Sequence, residues 1–278
     1  MIEAMKIIFI NVKKALSRSG LPDLDYALNP YMGCYHGCIY CYARLYTWIK
    51  EIRENWGEII AVKKNLINVL EKEIKYLRRG IVGVGTITDP YQPVEAIYRL
   101  TRKSIELLLS HGFHISIQTK NTLILRDIDL LTKHKHSVDV GFTITSLNDK
   151  KSRIYEPKAS PPSMRAYALK QLSSKGIDTW IFYGPVIPGY NDDLDTRIKI
   201  IELARETGSK ILIDRIHIKK FMYNRSHPLH KILFIARNYP WKRFIYETMK
   251  LCRKYNVDCI PGFAEPSKNK TTLDSFIQ

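Results

Sequence analysis

Cysteine is scarce in this 278-residue chain: there are five, three of them crowded between positions 34 and 41, while Cys252 and Cys259 lie far downstream. An odd number of thiols, in a chain whose opening residues lack the layout of a secretory signal, argues against a disulfide framework and for a reducing compartment, the cytoplasm. No apolar run approaches the ~18 residues that a bilayer span requires, so no membrane partner is expected. Acidic side chains are short as well, 27 Asp and Glu against 44 Lys and Arg, for a net charge of +17. Such a balance speaks to anionic partners rather than to fold. Glutamine occurs only four times, a faint mark of a heat-adapted source. There is no fixed-period repeat and no low-complexity segment, and a hydrophobic content of 45% excludes wholesale disorder. One domain is the economical reading, since α/β barrels of about this length commonly form a single unit.

What is present is concentrated in Cys34-Tyr-His-Gly-Cys38-Ile-Tyr-Cys41. A Cys-x3-Cys-x2-Cys run in a glycine-bearing loop supplies three thiolates to a cube-shaped iron–sulfur cluster. Such clusters usually take four cysteines, so three leave one iron open to a non-protein ligand, much as a catalytic metal keeps a free position. The alternative is a structural zinc site completed by Cys252, Cys259 or His36, which would make the chain a non-enzymatic nucleic-acid-binding module.

Residues 1–24 read as an N-terminal extension closed by the turn signal Leu21-Pro22-Asp23, 25–262 as the core, and 263–278 as a C-terminal tail. After the cysteine loop, helical spacing predicts one helix just past Cys41 and another over 65–79. Short apolar strands then follow at 81–88, 114–119, 138–145, 179–183, 210–216 and 257–260. Helical patterns lie between them at 94–110, 127–134, 162–175, 193–207 and 240–255, and Gly112, Gly176 and Gly208 sit where three of these should stop. Alternation of this kind predicts a parallel sheet covered by helices, as a barrel or partial barrel or as an open doubly wound sheet.

In a parallel barrel the loops after the strands converge on one face, where active sites form. The residues at those positions are polar or turn-forming: Thr86 to Glu95, then Thr119-Lys120-Asn121, Thr143 to Asn148, Gly184 to Asp192, and Asp214, Arg215 and His217. Each loop taken alone also fits helix-capping and turn chemistry. The basic charge is concentrated too. From Lys210 to Lys254 twelve Lys and Arg face only Asp214 and Glu247, interleaved with Phe221, Tyr223, Phe234, Tyr239, Trp241, Phe244 and Tyr246. Cations neutralise phosphates and aromatic rings stack on exposed bases, so this stretch is expected to contact nucleic acid; a solvated basic surface over buried aromatics is the plainer alternative.

The cysteine spacing, with Tyr40 just ahead of the last cysteine, resembles the radical S-adenosylmethionine (SAM) superfamily. Thr88-Asp89-Pro90-Tyr91-Gln92-Pro93 with Glu95, Gln118-Thr119-Lys120-Asn121, Leu125-Arg126-Asp127-Ile128-Asp129, Glu156-Pro157, and Pro188-Gly189 before Asn191-Asp192 resemble its spore photoproduct lyase-like group. The likeness implies a partial (β/α)6 barrel and a [4Fe-4S] cluster on Cys34, Cys38 and Cys41. It also implies SAM bound at the open iron and cleaved to a 5′-deoxyadenosyl radical, with ferredoxin or flavodoxin as reductant. Carried over by position, Tyr40 would contact adenine, Thr86 and Thr88 would stand in for the superfamily's acidic methionine-binding patch, Lys120 would reach the SAM carboxylate, and Thr145 or Ser146 would hold the ribose. The likeness implies a DNA-repair lyase or base-modifying enzyme; action on a peptide or small metabolite is the other enzymatic reading. One departure is plain: the lyase returns a hydrogen atom from a cysteine outside the cluster, and no cysteine lies between Cys41 and Cys252 here.

Overall fold

A computed structural model describes residues 5–262. The expected C-terminal tail and the first four residues lie outside the described residues. The strands are β1 (Lys6–Ile10), β2 (Leu16–Arg18), β3 (Tyr26–Leu28), β4 (Tyr31–Met32), β5 (Ile59–Lys63), β6 (Ile81–Val84), β7 (His114–Thr119), β8 (Val138–Thr143), β9 (Asp178–Val186), β10 (Lys210–Arg215) and β11 (Cys259–Pro261). The helices are α1 (Lys50–Glu54), α2 (Leu66–Glu73), α3 (Glu95–Tyr98), α4 (Leu100–Ser110), α5 (Ile128–Lys133), α6 (Asp149–Ser152), α7 (Pro162–Ser174), α8 (Leu194–Thr207), α9 (Leu233–Asn238) and α10 (Trp241–Lys254).

The main sheet has the order β11-β10-β9-β8-β7-β6-β3-β2. From β3 to β11 every neighbouring pair is parallel, and only β2 runs antiparallel to β3. Within this sheet each strand lies beside the one before it, β4 and β5 being diverted to a second sheet, and helical crossovers impose such an order from β6 onward. Among the described residues the sheet keeps two ends, at β2 and β11, so the barrel is partial, as expected. Period-two alternation accounts for β7, whose Ile115, Ile117 and Thr119 are buried. In register, Ile115 faces Val138 and Ile117 faces Val140, and these residues belong to one continuous core.

The parallel run begins one strand before the cysteine loop. Its first member, β3, has three residues, too few for periodicity to show. The segment expected as an extension supplies β1 and β2. β1 pairs with β5 in a second sheet of order β1-β5-β4, and β4 ends just before Gly33 and Cys34. This small sheet is the platform from which the cysteine loop departs, so that loop shares a face with the loops after β6 to β10. The helix expected over 94–110 is two helices, because Arg99 adopts a left-handed conformation (φ 52°). Buried Glu95 compensates by accepting the N–H groups of Thr101 (2.9 Å) and Arg102 (3.2 Å), an N-cap provided from five residues upstream of α4.

The cysteine loop touches the turn before β5 backbone to backbone. Gly57 has φ +96°, and a Cβ built there would lie 2.8 Å from the Gly37 Cα. Gly189 has a similar φ of +77° but nothing within 4 Å of its would-be Cβ. Both alanine substitutions incur the left-handed backbone cost of roughly 1–3 kcal/mol. Gly57→Ala adds a clash, so it should lower the thermal unfolding midpoint clearly more than Gly189→Ala; equal losses would show that the Gly37–Gly57 contact is slack.

Candidate active site

The cysteine loop has almost no regular structure, and its backbone groups are satisfied by side chains from the loop after β6. Gln92 is buried; its carbonyl accepts the Tyr35 N–H (2.9 Å), while its NH2 donates to the Gly33 carbonyl (3.2 Å) and the Thr88 hydroxyl (2.9 Å). The Thr88 hydroxyl in turn donates to the same Gly33 carbonyl at 2.5 Å. Asp89 accepts from the Thr119 hydroxyl (2.7 Å) and the Lys120 N–H (2.7 Å), and lies 3.4 Å from His36 Nδ1. Burial opposes its charge, yet His36 and these donors hold its pKa down at about 2. Much of the Asp-Pro-Tyr-Gln motif is thus bracing for the loop that carries the cysteines. His36, wholly buried between Asp89 and the Asn121 amide (3.3 Å), belongs to the same brace.

A second brace comes from beyond β8. The Ile39 N–H donates to the Tyr155 carbonyl (2.9 Å) and the Lys158 N–H to the His36 carbonyl (3.2 Å). Tyr40 donates its hydroxyl to Glu156, and Glu156 also accepts from Ser152 (3.0 Å) and pairs with Arg165 at 2.6 Å. Arg165 completes its bonding on the carbonyls of Ser160 (2.6 Å) and Thr143 (2.9 Å). Glu156 is buried, which raises its pKa, but Arg165, Lys120 and the Tyr40 hydroxyl outweigh burial and the shift is downward. Arg165 was not singled out from the sequence. Its signal was there: with Ala168, Leu169 and Leu172 it lies on the apolar face of α7, where an arginine needs a buried anion.

Lys120 stands with its ammonium 6.0 Å from the centre of the Tyr40 ring. Among the described residues that ammonium forms no hydrogen bond or ion pair. Burial works against its charge, but Cys38 and Glu156 raise its pKa and keep it a cation. Burial also pushes up the thiols of Cys34, Cys38 and Cys41, against which Lys120 acts on the last two. Thiols so placed ionise readily only against a bound cationic centre, and an all-sulfur donor set suits iron. Among the described residues no three His, Cys, Asp or Glu side chains converge as a single metal ion would need. Cys252 and Cys259 are free thiols buried in the main core, and neither completes the loop. A zinc site would need a fourth ligand, and neither distal cysteine joins the loop; the three loop thiols left are the donor set of a cluster that keeps one iron open.

Thr86 accepts from the Asn29 amide (2.9 Å), and its carbonyl accepts the Tyr42 hydroxyl (2.7 Å). Thr145 and Ser146 are buried just past β8, and the Ser146 hydroxyl accepts the Asn148 N–H (3.1 Å). Beyond β9 the loop is turn and cap chemistry: Asn191 accepts the Ile187 N–H (2.6 Å), Asp192 accepts from Gly189 (2.8 Å) and Asp193 caps α8 through Thr196 (2.8 Å).

The basic stretch after β10 folds back onto the cysteine loop. Met222, Leu229, Leu233 and Ala236 form a second buried cluster with Tyr155, Ile187 and Ile216, and Ile39 and Tyr40 pack against it. The guanidinium of Arg44 lies 4.7 Å from the Phe221 ring. Of the seven aromatics expected as base stackers, Phe244 is buried. Trp241 is packed 4.7 Å from Tyr239 with its indole N–H on the Ala236 carbonyl (2.9 Å). Phe234, Tyr246 and Tyr223 are the exposed ones. Trp241 therefore serves the α9–α10 corner rather than offering a free face.

A partial parallel barrel with three thiols and a lone ammonium at its mouth defines a class, and the sequence agrees: the chain belongs to the radical SAM superfamily, whose pattern matches residues 28–198. Its cofactors are accordingly a [4Fe-4S] cluster and SAM, and it is an enzyme needing a reductant. More particularly, it is 34% identical over 190 residues to a protein of Methanocaldococcus jannaschii, covering 68% of this chain and 70% of that one. It is 28% identical over 192 residues to a radical SAM Nα-GlyT isomerase of Pseudomonas phage M6, covering 66% of this chain but only 38% of the isomerase. The fold resembles spore photoproduct lyase complexed with dinucleoside spore photoproduct (TM-score 0.65, 13% identity, 92% of this chain and 82% of that one). Among the described residues no helix is long and apolar enough to cross a membrane.

The second brace sets a stability test. Arg165→Leu leaves Glu156 buried without its partner and should cost about 3–5 kcal/mol in denaturant unfolding. Tyr40→Phe removes one hydrogen bond to a charged group and should cost about 1.5–3 kcal/mol. A smaller loss for Arg165→Leu than for Tyr40→Phe would mean that Glu156 is not held by Arg165.

Proposed function

We propose that this radical SAM enzyme acts on a base within nucleic acid, as a repair lyase or a base-modifying enzyme. One observation carries the reading: the most basic stretch of the chain is packed directly on the cysteine loop, which puts a cation-rich segment next to the site where the radical would form. Between Asp214 and Glu247 there is no acidic residue. A polyanion is what such a segment attracts. That the similar lyase fold is known with a dinucleoside bound supports the same reading.

In this proposal Cys34, Cys38 and Cys41 hold the cluster. Bound there, the cluster would supply the electron for reductive cleavage of SAM. Lys120 offers its ammonium to the SAM carboxylate, a point charge for an anion. The Tyr40 ring, fixed by Glu156, would contact adenine, Thr86 would serve the methionine end, and Thr145 or Ser146 would hold the ribose. Thr88, whose hydroxyl is bonded on both sides within the brace, serves that end through the loop it supports. We place the enzyme in the cytoplasm, as one unit whose core over 25–262 is joined by the strands β1 and β2 of the preceding segment, with ferredoxin or flavodoxin as its reductant.

Single replacement of Cys34, Cys38 or Cys41 by Ala should abolish iron retention and SAM cleavage, while Cys252→Ala and Cys259→Ala keep both, as read by iron analysis and the cluster's visible absorption. Lys120→Ala should leave that absorption intact and weaken SAM binding by roughly ten- to a hundredfold, about 1.5–3 kcal/mol for a lost charge-assisted contact. Unchanged affinity would make Lys120 a bystander.

Nucleic-acid binding is tested by its salt response. Each phosphate contact contributes about −0.7 to −0.9 to the slope of log affinity against log salt. Reversing Lys231 and Lys242 to Glu should flatten the slope and weaken all sequences alike, because phosphate contacts position without specifying. Binding that is weak at low salt and indifferent to these changes would favour a peptide or metabolite substrate.

A further inference from the structure

The surface of α9 carries a feature that phosphate binding does not use. Leu233 and Ala236 are buried in the cluster against Tyr40, while their neighbours Phe234 (78% exposed) and Ile235 (51% exposed) point away from it. Two large apolar side chains held out by a short, anchored helix cost free energy in water. They stand within the stretch that lacks acidic residues, with the exposed cations Lys231 three residues before Phe234 and Arg237 two residues after Ile235, and Lys220, Arg225 and Lys242 exposed elsewhere in the same stretch. Nearby, Arg237 lies over the exposed Tyr223 ring (5.2 Å) and donates to its hydroxyl, so part of this cationic stretch is already stiffened.

A base cannot reach a barrel mouth while stacked in a duplex; it must be extruded, at a cost of unstacking. Proteins that kink duplexes insert apolar wedges such as Phe and Ile between base steps, with cations fixing the backbone on either side. We propose that Phe234 and Ile235 form such a wedge for duplex DNA: α9 enters a base step, and the base it displaces is delivered to the adjacent mouth beside Tyr40. This rests on the nucleic-acid reading above, and it adds the element that opens the helix. The charge around the pair makes duplex DNA the occupant argued for, rather than an apolar protein surface.

The test uses the full chain and a duplex DNA carrying 2-aminopurine, whose fluorescence rises on unstacking. The wild type should raise the signal on binding. Phe234→Ala/Ile235→Ala should remove most of the rise and weaken duplex binding about five- to tenfold, the scale of losing one stacked contact. Affinity for single strands should change less than about twofold, and the salt slope should stay as it was. Phe234→Leu, which keeps an apolar side chain, should retain most of the rise. At 78% exposure Phe234 bears no fold, so loss of folding does not confuse the result. An undiminished rise in the double variant overturns the wedge, as does a wild type that binds duplex DNA without any rise or that unstacks duplex RNA alone. A wild type that binds no nucleic acid at all instead removes the function proposed above, which separates the two failures.

Discussion

A loop that carries three cysteines in eight residues has no ladder of its own to satisfy its peptide groups. Buried N–H and C=O groups left alone cost about 1–3 kcal/mol each, so the site depends on side chains that reach in from other loops. Gln92, Thr88 and Asp89 hold one side, from beyond β6; the Tyr155–Lys158 turn and Glu156 hold the other, from beyond β8. The parallel sheet makes this possible by bringing those loops to one face, and the small β1-β5-β4 sheet fixes where the cysteine loop begins.

The charges at the mouth follow a similar economy. Lys120 and Arg165 are cations; Glu156 is paired with the second and acts on the first only at longer range, without a hydrogen bond or ion pair. The result is one positive charge without a direct ion-pair partner acting on Cys38 and Cys41, in a region dry enough for it to count. Arg165 and Glu156 would gain little as an isolated buried pair. Their value is in geometry, since the pair fixes the Tyr40 hydroxyl and with it the direction of the ring.

Most of the barrel was legible because its strands alternate or run apolar for several residues and its helices end at glycine. The strands that escaped were three or two residues long, as in β3 and β4, or, like the apolar runs of β1 and β5, lay outside the β/α alternation and pair with each other across about fifty residues. The break at Arg99 was hidden because a distant carboxylate, Glu95, replaces the usual cap. At the site, the residue types Asp89, Gln92, Tyr40 and Lys120 stood out in the sequence, but which of them brace and which face a ligand is a matter of burial. Trp241 shows the same limit: composition marks an aromatic among cations, and only packing says that its ring is already occupied.

The bracing has a consequence for how the protein is made. Glu156 follows Tyr40 by 116 residues, and a ribosome adding about 5–20 residues per second needs roughly six to twenty-three seconds to reach it. During that interval the cysteine loop has left the ribosome with only its nearer supports, so the thiols are accessible to an iron–sulfur carrier while the second wall of their pocket does not yet exist. Loading the cluster during synthesis, before Glu156 and Arg165 close that wall, would thus meet a more open loop than loading the finished chain.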